Sequence, residues 1–319
     1  MSNSVPIAFS GANGMVGIGL SQALEQHKDA TPLALSRVGA DGERQCPDLM
    51  NCTDADWHHA LKGAQVYIHL AAYLPFGNQT QSYSDDEYNI ANCAAAVSAL
   101  NGFAIAGGQK MIFVSTLGIN GITSGQSPFS WDDKPNPASA YATSKYNAET
   151  ALRARAKQLG IQLIIVRPPI IYGQNVGGKF RQLVDHIKSQ RPLPFGTITN
   201  MRDMIGLRNF CDVLVALALN TKQWHNPVLV CDREPVSTPD LVKKIANAYG
   251  VAPRLINVPR PVFQIAAKLP IIGKAVQRLC DDLRINDQYL RDNCDWTPRF
   301  SVQDELDLMA ASETHQQNP

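Results

Sequence analysis

The sequence has no apolar run long enough to cross a bilayer, which argues against a helical membrane span. It has no excess of either charge: 29 Lys and Arg against 28 Asp and Glu give a formal net charge of +1. No global field therefore draws the chain to nucleic acid or to an anionic surface, and an anionic ligand must be gripped locally. The seven cysteines (46, 52, 93, 211, 231, 280 and 294) include no Cys-x-x-Cys pair, and no histidine stands at metal-ligand spacing. They read as reduced thiols, with no metal site. Asn51-Cys52-Thr53 and Asn78-Gln79-Thr80 match the glycosylation pattern, but no signal peptide precedes them. These absences lead to the expectation of a cytoplasmic protein with neither a nucleic-acid nor a membrane partner.

What is present is an alternation of short apolar runs and helical patterns along 319 residues. Val5 to Phe9 reads as a strand that ends in Ser10-Gly11-Ala12-Asn13-Gly14-Met15-Val16-Gly17, and a helical pattern follows to Gln26. Strand, glycine-rich turn and helix together let a pyrophosphate approach backbone N–H groups at a helix N-terminus. Gly11 would make the turn, Gly14 would admit the phosphate and Gly17 would let the helix pack. A second strand, Pro32 to Leu35, ends at Ser36-Arg37 with no acidic residue to receive ribose hydroxyls. That pair suits a 2′-phosphate and favours NADP over NAD; the plainer alternative is that Arg37 stacks on the adenine or faces solvent.

Pro47-Asp48-Leu49 precedes a helical segment from Asp54 to Leu61, and Val66 to Ala72 is a buried strand with His69 in the core. An Ala-rich helix from Asp85 to Ala106 contains Asn92, and the strand Lys110 to Val114 ends in Ser115-Thr116. This alternation predicts a doubly wound parallel α/β sheet, in which ligands gather at the carboxyl ends of the strands. After a turn-rich run, Tyr141-Ala-Thr-Ser-Lys145 opens a helix to Leu159, with Ser139 as its N-cap. Residues four apart share a helix face, so a phenol and an ammonium can point into one site. Such a pair can pass a proton to or from an alcohol near neutral pH.

As a set, Gly11-x-x-Gly14-x-x-Gly17, Leu70-Ala71-Ala72, Asn92, Ser115-Thr116, Tyr141-x-x-x-Lys145 and Arg167-Pro-Pro-Ile-Ile-Tyr172-Gly173 resemble the extended short-chain dehydrogenase/reductase superfamily, in its nucleotide-sugar epimerase/dehydratase branch. The resemblance covers nearly the whole chain. It implies that Tyr141 is the acid/base, that Lys145 binds the nicotinamide ribose and lowers the Tyr141 pKa, and that Thr116 with Ser115 orients the reacting oxygen. It also implies that NAD(P) is held by Gly11, Gly14, Met15, Val16, Gly17, Ser36, Arg37, Asp48, Leu49, Leu70, Ala71, Ala72, Asn92, Val114, Tyr141, Lys145, Pro168, Ile170 and Ile171. Arg202, in Arg202-Asp203-Met204-Ile205, is the position that would grip a substrate diphosphate, with Arg278 and Arg284 as further candidates. Leu117-Gly118 follows Thr116 where a 4,6-dehydratase has an Asp-Glu pair, so dehydration is not expected.

The implied activity is oxidoreduction at the sugar, at C4, of a nucleotide-sugar such as a UDP-sugar, by a 4-epimerase or a 4-keto reductase. The alternatives are an NADPH-dependent reductase of a non-nucleotide carbonyl and a non-catalytic dinucleotide-sensing regulator. Residues 1–173 plus about 207–235 are expected to form the Rossmann domain, and about 174–206 plus 236–319 a smaller, discontinuous substrate domain. Helices are expected at Gly177 to Ser189 and Asp212 to Leu219, a turn-rich strand at Arg191 to Gly196, and a disordered tail from Glu313. The apolar stripe between Pro259 and Leu283 reads as core and partner surface rather than a membrane element, and Trp296 as structural. The two Ala-rich helices resemble the pair that forms a four-helix homodimer interface in this superfamily.

Overall fold

The computed structural model describes residues 4–39, 42–74, 83–269 and 273–317. The acceptor pattern at Asn78–Thr80 lies outside them. In chain order the first elements are β1 (Val5–Ser10), α1 (Met15–Glu25), β2 (Ala30–Ser36), β3 (Arg44–Gln45), α2 (Asp54–Ala60) and β4 (Val66–His69). A long helix follows in three parts: α3 (Asp85–Asn89), a π-helical turn (Ile90–Ala94) and α4 (Ala95–Ile105). Then come β5 (Lys110–Val114), a 3-10 turn (Leu117–Ile119), α5 (Ala140–Leu159), β6 (Gln162–Arg167), β7 (Ile171–Tyr172), α6 (Gly178–Lys188), β8 (Ile205–Gly206), α7 (Leu207–Leu219) and β9 (Val228–Leu229). The chain continues through α8 (Thr238–Ala248), α9 (Arg260–Ala266), α10 (Gly273–Cys280), α11 (Gln288–Asn293) and α12 (Val302–Gln317).

Alternation along the strands places helices on both faces of one sheet. Ile7, Phe9, Ile68, Ile112, Ile164 and Val166 pack on one side with α1 and α7. Ala8, Tyr67, Met111 and Phe113 pack on the other with Trp57, Leu100, Phe103, Ala148 and Leu152. A sheet covered twice is the setting in which all-parallel pairing occurs. The seven strands run in the order β3-β2-β1-β4-β5-β6-β9, all parallel, with Phe9 opposite both Ala34 and Ile68. The short β7–β8 pair lies apart from this sheet. A third cluster of Tyr172, Phe180, Val184, Val242, Ile245, Leu306 and Met309 joins α6, α8 and α12.

Helix ends follow local sequence. Thr53 and Ser84 form capping boxes with Asp56 and Glu87, and Ser139 accepts the Ala142 N–H to start α5. Gly160, in the left-handed region, stops it.

Four expectations change. The helix awaited at Asp212 begins at Leu207. Arg191 to Gly196 contributes a single bridge, Leu193 to Leu255. The awaited tail is helical to Gln317, because Glu313 accepts from Arg181, from Lys188 at 2.7 Å and from the Tyr249 hydroxyl at 2.7 Å. Leu290, Cys294 and Trp296 pack in the main-sheet cluster rather than with α8 and α12, and the Trp296 indole donates to Asp212 at 3.0 Å. His69 is fully buried, as expected of a core residue.

Candidate active site

The carboxyl ends of β1, β2, β4, β5 and β6 open on one edge of the sheet, and every strand-end residue singled out from the sequence lies there. At β1, Gly11 takes φ +75°, a left-handed turn conformation that favours glycine, beside Leu70 and Ala71. A Cβ on Gly17 would stand 2.2 Å from the Gly11 carbonyl oxygen, so only glycine brings α1 this close to the turn. The N-terminus of α1 has no side-chain cap and no acid in its first turn, which leaves its N–H groups open to an anion. Met15 and Val16, half-buried, pack beneath that first turn. The buried Ser10 hydroxyl accepts the Leu70 and Ala71 N–H groups at 3.2 Å each, fixing the β4 end against the turn. This cradle fits a dinucleotide pyrophosphate.

The β2 end is less committed. The Ser36 hydroxyl accepts the Gly39 N–H at 3.0 Å, which leaves exposed Arg37 as the cation available there. Asp48 closes its own turn by accepting from Met50 N–H and the Asn51 amide, while Leu49 packs on the core. Asn92 differs from expectation. Fully buried in the π turn, its amide clamps the Tyr73 backbone (N–H to Oδ1 2.7 Å; Nδ2 to O 3.1 Å) and donates to Ser144. It holds the β4 loop to α5.

On α5, Lys145 is 1 % exposed. Its Nζ lies 4.0 Å from the centroid of the Phe113 ring and makes no hydrogen bond to any described residue. A buried ammonium without oxygen partners is costly unless a ligand supplies them. Burial lowers its pKa to about 7, and the Glu149 carboxylate partly opposes that shift. Tyr141, one turn earlier, stands edge-on to Tyr88 (6.3 Å between centroids), and its hydroxyl has no described partner. Burial, with a smaller contribution from Tyr88, pushes its phenol up, so the resting phenol is neutral. The resemblance implied the opposite shift, through Lys145; in this structure burial and Tyr88 set the direction. Tyr88 itself continues through Tyr83 to Tyr73, an aromatic wall that sequence reading missed.

Ser115 and Thr116 do not share a role. In extended backbone, neighbours point to opposite sides. Thr116 caps the 3-10 turn by accepting the Gly118 N–H at 3.1 Å, which leaves its own proton to donate. Ser115 turns inward and donates to Glu149 at 2.6 Å. Arg167 meets both Glu149 oxygens (2.9 and 2.7 Å) and donates to Asn120 at 3.0 Å. All four residues are buried. Val114 and buried Pro168 flank this network, with the Pro168 carbonyl accepting the Leu117 N–H. Ile170 is 49 % exposed at the same edge, and Ile171 pairs with Ile205 in the β7–β8 ribbon.

Farther out, Arg202 donates to the Asp281 carbonyl at 2.8 Å. Burial lowers its pKa to about 10; Asp281 opposes this and nearby Arg278 adds to it. Arg202 and Arg278 thus converge as two cations, whereas Arg284 is paired with Asp203 at 3.2 Å. Beside them is a cavity of about 560 Å³ whose walls include Gln126, Asn200, Phe263, Val276, Cys280 and Asp281. Tyr141, Lys145 and Thr116 are not among those walls.

This sheet order, the glycine turn at α1 and the Tyr141/Lys145 face of α5 define an enzyme of the extended short-chain dehydrogenase/reductase type. Residues 7–231 match the NAD dependent epimerase/dehydratase family, and the chain belongs to it. A UDP-glucose 4-epimerase of Vibrio cholerae is 28% identical over 304 residues, covering 93% of this chain and 92% of that protein. A ceramide reductase of Caulobacter vibrioides is 26% identical over 82% of this chain and 76% of its own length. Among solved structures, UDP-glucuronic acid 4-epimerase from Bacillus cereus in complex with NAD superposes with a TM-score of 0.76 at 19% identity, over 96% of each chain.

Proposed function

We propose that the protein carries out NAD(P)-dependent oxidoreduction at C4 of the sugar of a UDP-sugar, as a 4-epimerase or a 4-keto reductase. The observation that carries this reading is the pair Tyr141 and Lys145, near a dinucleotide cradle, whose side chains make no hydrogen bond among the described residues. Chain-long similarity to a UDP-glucose 4-epimerase supports the nucleotide-sugar class. Bound NAD(P) supplies the hydride acceptor and donor. Gly11, Gly14 and Gly17 with Met15 and Val16 would hold its pyrophosphate, Leu70, Ala71 and Ala72 would line its path, and Lys145 would meet its ribose.

Tyr141 as neutral phenol gives its proton to a developing alkoxide in reduction; as phenolate it removes the hydroxyl proton in oxidation. Thr116 donates to that oxygen and fixes its position. Arg202 and Arg278 grip the diphosphate, so binding far from the chemistry orients the sugar. The choice between cofactors rests on Arg37. The expected NADP preference has no other support, and Arg37→Ala weakening NADPH but not NADH binding is the result that would uphold it.

Similarity to a ceramide reductase, with the apolar cavity residues Phe263, Ala267 and Val276, favours a second reading: reduction of a non-nucleotide carbonyl. Thermal shift separates the two. UDP-glucose or UDP-N-acetylglucosamine raises Tm under the first reading; no shift with any UDP- or dTDP-sugar overturns it. The outer faces of α3 to α5 expose Ile90, Ile105 and Tyr146. These fit a homodimer across the four-helix face, which light scattering tests.

A further inference from the structure

Helix α9 has two apolar faces. Phe263 and Ala267 turn inward and line the 560 Å³ cavity. Val262 (51 % exposed) and Ile265 (67 %) stand on the outer face of α9, Leu269 (48 %) follows just past its end, and Ile256 (50 %) precedes it in sequence. Burying such residues singly would be unremarkable to omit, but four aliphatic side chains on one short stretch form a surface that favours removal from water. The charge of this stretch is equally one-sided. Residues 251–280 contain Arg254, Arg260, Lys268, Lys274 and Arg278 and no acidic residue, in a chain whose formal net charge is +1. The basic character is local to this stretch, because Asp281 and Asp282 follow it directly and wall the cavity. Arg254 and Lys268 are exposed on this stretch, Arg254 also donating to the Gln190 carbonyl, whereas Arg260, though exposed, lines the cavity and donates to Thr199.

From these observations we infer that the outer face of α9, with residues 254–260, docks on an anionic lipid bilayer and sets the cavity mouth at the membrane surface. The occupant follows from charge and shape together. Aliphatic side chains enter the acyl boundary while Arg and Lys reach anionic headgroups, the arrangement of an interfacial helix. Juxtaposed cations add attraction to anionic lipid that salt screens. No helix among the described residues is long and apolar enough to cross the membrane, so contact is peripheral. This inference concerns a surface away from Tyr141, and it departs from the sequence expectation of no membrane partner because Val262, Ile265 and Leu269 stand exposed rather than in the core.

The test is flotation of the full chain with phosphatidylcholine vesicles, pure or containing about a third phosphatidylglycerol. The expected result is flotation with the anionic vesicles at low salt, weakening as salt rises, and little with pure phosphatidylcholine. A Val262→Glu/Ile265→Glu variant, with substitutions on exposed positions, keeps the wild-type Tm and partitions at least about tenfold less. Absence of wild-type flotation with anionic vesicles, or flotation of the variant equal to the wild type, overturns the inference. So does light scattering in which the variant alone loses a dimer, since a second copy would then cover the face.

Discussion

Two consecutive turns of α5 treat buried polar groups in opposite ways. At Glu149 every oxygen has a donor: Ser115 and Arg167 meet it, and Asn120 completes the guanidinium. One turn earlier, Lys145 is as deeply buried yet, among the described residues, lies over the Phe113 ring without a hydrogen bond, and the Tyr141 hydroxyl has no described partner. The first arrangement is complete within the protein. The second is complete only when something else supplies oxygens. On this helix the satisfied turn reads as scaffold and the open turn as the place where a ligand is received.

Substitutions on the two turns should therefore fail differently. The largest effect is expected at Tyr141. Tyr141→Phe removes the transferable proton and should lower turnover by about 10²- to 10⁴-fold in a steady-state assay, with NAD binding retained. Next is the scaffold: Arg167→Met leaves Glu149 buried without its cation and should cost about 3–5 kcal/mol in urea unfolding. The smallest is a pH effect at Lys145. Folding carries an ammonium into a site where its pKa falls to about 7 from its ordinary 10.5, chiefly through burial. The cost of that burial is full below pH 7 and disappears as pH rises toward the unfolded value. Lys145→Met should accordingly gain most in Tm over wild type at pH 6, with the gain shrinking up to pH about 10. A gain that does not change with pH would show that Lys145 is not held as a strained cation.

The sequence disclosed what depends on near neighbours. Glycine spacing at Gly11, Gly14 and Gly17 reports a turn, Ser139 reports a cap, and the four-residue step from Tyr141 to Lys145 reports a shared helix face. Strand periodicity likewise yielded the parallel sheet. It did not disclose Glu149, because its partners lie 18 and 34 residues away and meet it only through the order of β5, α5 and β6. Assigning both Ser115 and Thr116 to the substrate ignored the alternation of extended backbone, which allows one of them to face the site. The Asn92 role was obscured for a similar reason: its partner is the backbone at Tyr73, and no residue type there signals it. Charge states were least legible, since they follow from burial that no local pattern specifies.

The contrast along α5 is tested most directly by calorimetric titration of NAD into the wild type and Lys145→Met. Both the unpartnered ammonium and its neighbours predict that the variant binds NAD at least about tenfold more weakly while its Tm is unchanged or higher. Equal affinity in the two proteins would contradict the account, because the one buried cation left open on this helix would then be serving no ligand.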